Sequence, residues 1–258
     1  MQKVTHSEYI AQKKPLAKQL LAKLNEKYQY ASVLITDNYE KGYRASRSGV
    51  AISATNAFGG KGMIVKVYDG KGYAEYSTNE ITAENLPEIE REIEQQLMNP
   101  ANFIPEGTEE AEYKCISDEP CTLCEATDYE IHPREVGDEK LIETVTALRE
   151  KAVKADERIL DAITGFNYQE YHKLFLSANR ELEQSVLYST GIMALVAAKG
   201  EEIKQSFRGF SNLGGAELLD KMESAIPQCV KTVTDLLNAE PMEPGTYECI
   251  CTPEVTGM

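Results

Sequence analysis

Long apolar stretches are missing from this sequence. No run approaches the roughly 18 residues needed to cross a bilayer as a helix, and the longest, Gly191 to Ala198, is short. The N-terminus, MQKVTHSEYIAQKK, has no apolar core ahead of a small-residue cleavage site, so no secretory signal is read there and a cytoplasmic protein is expected. Positive charge is scarce: 27 Lys and Arg face 42 Asp and Glu, a net charge of -15 with a pI near 4.8. Such a chain is repelled by phosphate backbones and anionic lipid, which argues against nucleic acid or a membrane surface as direct partners. Histidine is rarer still. His6, His132 and His172 are scattered, none in a zinc-binding helix pattern and none beside a recognisable nucleophile motif. No set of residues able to run a reaction alone is visible.

What is present suits a folded protein. The 258 residues are 42% hydrophobic and 27% charged, enough for one large domain or two small ones with a core. Six cysteines at uneven spacing, with no export signal, read as free thiols or metal ligands rather than a disulfide framework.

Periodicity divides the chain. Pro15 with Leu16, Leu20, Leu21 and Leu24 predicts a short helix with proline in its first turn. Tyr30 to Glu40 reads as a strand, followed by a turn around Gly42 and a second strand from Tyr43 to Ala57. Met63–Tyr68 and Tyr73–Ser77 flank Asp69-Gly70-Lys71-Gly72, a hairpin signal. Leu86, Ile89, Ile93 and Leu97 mark a helix opened near Thr82 and stopped by Pro100. Residues 1–99 thus form an N-terminal subdomain, and the proline-rich, acidic segment 100–137 reads as a connector. From 138 to 240 the order repeats as helix, sheet and helix. Leu141, Val145, Leu148, Ala152, Ala155 and Ile159 form one stripe, with Asp138 as cap. Strands Glu170–Ala178, Glu183–Ala198 and Glu202–Phe210 follow, the last two joined at Lys199-Gly200-Glu201. A helix from Ala216 to Asn238 must break or kink at Pro227, and a last strand runs from Thr246 to Thr252 within the segment 241–258. The expected class is α+β, built from helix–antiparallel meander–helix units.

Few residues carry candidate chemistry. Cys115, Cys121, Cys124 and His132 are four zinc-type ligands within eighteen positions, but their spacing makes poor knuckles, and free thiols in a surface connector are the plainer reading. Asp118, Glu119 and Glu125 flank the pair and disfavour a thiolate, against a dithiol redox centre. Cys249 and Cys251 share a face of the last strand and, like Cys229, read as buried small hydrophobes. His172 reads as exposed or hydrogen-bonded on its strand, with a catalytic base as the sharper alternative. Phe58-Gly59-Gly60-Lys61-Gly62 lacks the Walker Ser or Thr, whereas Gly209 to Gly215 precedes a helix whose amides could hold an anion, or is simply a loop. The acidic runs Glu88–Glu94 and Glu106–Glu112 read as solvated surface.

Pro244-Gly245-Thr246-Tyr247-Glu248-Cys249-Ile250-Cys251-Thr252-Pro253-Glu254-Val255-Thr256-Gly257 resembles the segment that opens the C-terminal domain of the TldD/PmbA metallopeptidase family. Gly60-Lys61-Gly62-Met63-Ile64-Val65-Lys66-Val67 with Gly72-Tyr73-Ala74 is similar to that family's N-terminal hairpin. The helix with Lys151, Ala152 and Asp156, and the glycine-rich stretch 209–215, resemble further family elements, while the cysteine-bearing connector departs from the pattern. The resemblance implies the N-terminal part of a cytosolic zinc peptidase that trims peptides or unfolded protein as a two-subunit assembly, a homodimer or a heterodimer with a paralogue. In its active members a His-Glu-x-x-x-His helix follows almost at once. Two histidines of that helix and a later cysteine bind zinc, and the glutamate activates water. This chain stops at Met258, so the C-terminus reads as a cut through a larger protein, and no catalytic residue carries over. No cofactor is expected in residues 1–258, with zinc belonging to the missing part. Alternatives are a PmbA- or TldE-like partner subunit without zinc, and a free-standing binding module with structural zinc at the cysteines. The family's label as a modulator of DNA gyrase sits poorly with the charge.

Overall fold

The computed structural model describes residues 1–54, 60–98 and 113–256. The chain opens with β1 (Gln2–Lys3), α1 (Glu8–Lys27), β2 (Tyr30–Ser46), β3 (Gly49–Ala54), β4 (Gly60–Tyr68), β5 (Tyr73–Thr78) and α2 (Leu86–Met98). It continues with β6 (Cys121–Ala126), β7 (Asp128–Tyr129), α3 (Pro133–Val136), α4 (Asp138–Lys154), β8 (Ile159–Ser177), β9 (Arg180–Lys199) and β10 (Glu202–Leu213). The last elements are α5 (Leu218–Ser224), α6 (Ile226–Leu236) and α7 (Pro253–Thr256).

Three long strands form the frame. β2, β8 and β9 span 17, 19 and 20 residues, far beyond the usual strand of about five or six. They anchor one sheet in the order β10-β9-β8-β2-β4-β5, with β3 beside the far end of β2 and β6 beside the near end of β9. The pairings are antiparallel except β6 with β9. The fold is therefore α+β, with a mostly antiparallel sheet.

Side chains alternate along a strand, so the register shows which residues share a face. Val33 and Ile35 of β2 lie opposite Leu176 and Leu174 of β8, and Tyr43 lies opposite Phe166. All six point to one side, and every long helix packs there. α1 and α2 set Ile10, Leu20, Leu24, Ile89 and Ile93 over the first end of the sheet, against Val33, Ile35, Val65 and Leu174. α4, α5 and α6 set Leu141, Val145, Leu218, Met222 and Val233 over the other end, against Tyr43, Phe166, Met193 and Leu195. No helix covers the reverse face among the described residues. There Leu123, Leu182, Phe175, Leu34 and Ile64 follow one another across five strands as one apolar row. Phe207, on the same face, is 72% exposed.

Local signals explain many boundaries. Ser7 caps α1, its hydroxyl accepting from the Ile10 amide at 3.2 Å. Asp69 accepts from the Lys71 and Gly72 amides, closing the β4–β5 hairpin. Thr82 and Asn85 exchange hydrogen bonds just ahead of α2. Pro227 sits in the first turn of α6, after the break at Ala225.

Several expectations need correction. α1 begins seven residues before Pro15, because the Ser7 cap sets its start and the helix tolerates the proline inside it. Gly42 makes no turn, and β2 runs straight through it. A Cβ there would lie 2.0 Å from Asn167 Oδ1 and 2.7 Å from Ser53 Oγ, so the glycine admits close neighbours on both sides. Ala155 ends α4 and Ile159 opens β8, so the six-residue stripe spans two elements. The stretch from Cys121 to Gly137 is not a plain connector, since β6 joins the main sheet and β7 pairs with β1. The expected strand Thr246–Thr252 does not form, and Cys249, Cys251 and Ile250 are exposed, Ile250 at 99%. Among the described residues no neighbouring strand takes up its backbone groups, so the ladder that defines a strand is missing. The stop at Pro100, the run Glu106–Glu112, residues 55–57 of the second strand, and Phe58 and Gly59 lie outside the described residues.

Candidate functional site

Between the two apolar cores the covered face turns polar. On β2 the positions between Ile35 and Tyr43 are Asp37, Tyr39 and Lys41; on β8 those between Leu174 and Tyr168 are His172 and Glu170. Asp37 lies opposite His172 and Tyr39 opposite Glu170, while β9 adds Ser185 opposite His172. The N-terminal segment and residues 127–132 cross here, joined by the Val4 amide on the Thr127 carbonyl at 3.0 Å and by the β1–β7 pair.

All three histidines of the sequence meet in this seam. His172 Nδ1 lies 2.9 Å from Ser185 Oγ, and the same oxygen lies 2.9 Å from His6 Nδ1. His172 Nε2 is 3.7 Å from Glu170 Oε2, and His132 Nε2 is 3.5 Å from Glu170 Oε1. Arg134 Nε comes within 2.8 Å of Glu170 Oε1 as an ion pair, although no donor is aligned on that oxygen. Burial pushes the Glu170 carboxyl up, but His172, Arg134 and His132 together outweigh it and hold the group below its ordinary value. The guanidinium of Arg134 also lies 4.2 Å from the Tyr39 ring centre, and Tyr39 stacks near Tyr168. Burial raises the Tyr43 and Tyr168 phenols well above their usual range, so they stay protonated donors. Tyr43 gives its hydrogen to Asp138 at 2.7 Å.

The four zinc-type candidates are not gathered into a site. Cys121 and Cys124 stand three positions apart on β6, so they project to opposite faces, about 10 Å apart along the strand. Their Cα atoms are too far apart for a disulfide, which requires about 7 Å or less. Cys115 is exposed before β6, and His132 caps α3, its Nδ1 accepting from the Arg134 amide at 3.2 Å. Among the described residues no group of three or more His, Cys, Asp or Glu is placed to hold a metal ion. These residues do not fit zinc, and no chemical step is assigned through it. Cys229 is buried as expected, in α6.

The anion reading of 209–215 also meets a physical obstacle. Gly209 to Leu213 belong to β10, and the amides beyond it are already used: Gly214 donates to the Leu187 carbonyl, Gly215 to Glu217 Oε1 at 2.8 Å and Ala216 to the Ile131 carbonyl, while Glu217 Oε2 accepts from the Ile131 amide at 3.1 Å. The chain's own carboxylate occupies the position an anion would take.

His172 was visible as a candidate, and Glu170 two positions before it could have been, because residues i and i+2 of a strand share a face. His6, Ser185 and Arg134 were missed. His6 meets Ser185 across 179 positions of sequence, for which no local signal exists.

Solved structures with this architecture decide the fold. A Bacteroides thetaiotaomicron protein named as a candidate modulator of DNA gyrase superposes with TM-score 0.65 at 17% identity, over 92% of this chain and 52% of that one. A Thermotoga maritima protein named in the same way gives TM-score 0.67 at 13% identity, over 90% and 50%. TldE from Thermococcus kodakarensis gives 0.61 at 14% identity, over 85% and 47%. The fold is TldD/PmbA-like. No family model and no curated protein matches the sequence. The chain spans about half the length of the TldD/PmbA-like structures it matches. Among the described residues, no helix is long and apolar enough to cross a membrane.

Proposed function

We propose that this chain is the noncatalytic N-terminal module of a TldD-like zinc metallopeptidase, walling the cleft in which peptides or unfolded segments are held and docking a partner subunit. The observation that carries the reading is β10. Among the described residues it ends the sheet with one edge unpaired along Glu202–Leu213, beside the helix-free face that carries Phe207, Ile203 and Leu213. A free edge offers backbone donors and acceptors to any extended peptide, reading main chain more than side chain. The TldD/PmbA-like fold supports the choice of peptide as ligand and of a family paralogue or second copy as partner. The metal chemistry would lie outside these residues, since no described donor set fits zinc.

Hydrogen exchange on the assembled protein, with and without an unstructured peptide, tests the reading. Slowed exchange at alternate amides of Glu202–Leu213 is expected, and unchanged exchange there overturns it. A second reading, a zinc-free partner subunit, is favoured by the likeness to TldE. A His-Glu-x-x-x-His helix immediately downstream in the parent gene would support the enzyme, and its absence the partner.

A further inference from the structure

Cys124 stands apart from the other exposed thiols. Its Sγ lies 3.5 Å from His6 Nε2, the only thiol–imidazole contact among the described residues. The seam behind His6 determines which way that imidazole is protonated. Ser185 Oγ has one hydrogen and lies 2.9 Å from two Nδ1 atoms, so it donates to one ring and accepts from the other. His172 Nε2 faces the Glu170 carboxylate at 3.7 Å, which favours the hydrogen on that nitrogen and leaves a lone pair at Nδ1. Ser185 then donates to His172, and His6 Nδ1–H donates to Ser185. His6 Nε2 is left as an open lone pair directed at the thiol.

Glu183, opposite Cys124 in the β6–β9 register, has Oε1 3.7 Å from His6 Nδ1, and Lys14 holds its other oxygen at 2.8 Å. Asp118 lies before Cys124 in sequence, yet its carboxylate is engaged by Ser177, the Asn179 amide and Arg180. Cys121, also exposed and on the same strand, points to the other face and serves as an internal reference.

We propose that Cys124 and His6 form a thiol–imidazole pair that exchanges with small-molecule disulfides, making Cys124 a site of reversible thiol modification. Cys124 passes its proton to His6 Nε2, and the thiolate attacks one sulfur of the incoming disulfide. A Cys124–sulfur bond forms as the incoming sulfur–sulfur bond breaks, and the released thiolate takes the proton back from His6. The small disulfide is the oxidant and leaves half-reduced as a free thiol.

The test uses the full chain at neutral pH with two probes, iodoacetamide and oxidised glutathione, each site read by peptide mapping. Cys124 should be alkylated at least tenfold faster than Cys121, Cys115, Cys249 or Cys251, and should be the first to carry glutathione. His6→Gln should bring Cys124 to within about twofold of Cys121. Ser185→Ala should slow Cys124 severalfold without touching the thiol or its neighbouring ring. Equal rates at Cys124 and Cys121 in the unmodified protein would falsify the proposal, with no variant needed. A Cys124 rate that is fast but unchanged in a folded His6→Gln chain also overturns it.

Discussion

The two cores on the covered face share strands β2 and β8 but are made differently. Under α1 and α2 the buried side chains are non-aromatic, among them Ile10, Leu20, Leu24, Ile35, Met63, Ile89 and Ile93. Under α4, α5 and α6 the core holds Tyr43, Phe166 and Tyr168, and its polar atoms are paired. Thr164 there donates to the Val145 carbonyl at 2.6 Å, and Ser189 to the Gly214 carbonyl at 2.9 Å. The first core needs only shape and water exclusion, whereas the second also relies on directed bonds. That difference teaches where the polar seam belongs: it begins where the aliphatic core ends, on the side of the core that already holds hydroxyls and rings.

The largest effect should come from emptying either core. Phe166→Ala should cost about 3–5 kcal/mol and Leu20→Ala about 2–5 kcal/mol, measured by urea unfolding. Because β2 and β8 run beneath both cores, each variant should still unfold in one transition. Two separated transitions in Leu20→Ala would break the comparison by making the cores independent.

A smaller loss tests how the seam is closed. A Cβ on Gly215 would lie 2.0 Å from the Ile131 carbonyl oxygen, so Gly215→Ala must move backbone. A loss of about 1–3 kcal/mol is expected by thermal or chemical unfolding. Glu170→Gln should cost a similar amount, about 1–3 kcal/mol, since it removes the charge that His172, Arg134 and His132 face. Its pH dependence has a definite sign. The carboxyl sits below its ordinary value in the fold, so its contribution is full above the usual glutamate range and is lost as pH falls through the lowered value. Stability measured over that acid range should drop more steeply in the parent chain than in Glu170→Gln. The smallest effect is Tyr43→Phe, which removes one hydrogen bond to Asp138 and should cost about 1 kcal/mol, leaving the aliphatic core's hydrogen-exchange protection unchanged.

Much of this fold was legible wherever the cause is local. The Asp69 turn, the Lys199–Glu201 hairpin, the stripe Leu141–Val145–Leu148–Ala152 and the break before Pro227 each rest on neighbours a few positions apart. Gly42 misled because a glycine suits a turn and a crowded strand crossing equally well, and only Asn167 and Ser53, distant in sequence, distinguish them. Thr246–Thr252 misled in the opposite way: its residues suit a strand, but a strand exists only with a partner ladder. The candidate site was legible in part, through His172, His132 and Cys124, whereas Cys115 and Cys121 lie outside it.

Composition and periodicity were enough to establish a folded acidic α+β chain, its amphipathic helices and its tight turns, because those follow from backbone sterics and side-chain spacing within a few residues. Tertiary structure alone decided that every long helix covers one face, that β6 enters the sheet parallel to β9, and that His6, Ser185, His172, Glu170 and His132 meet. Those contacts join segments up to 179 positions apart, brought together by the register of three long strands and by the need to pair polar groups removed from water.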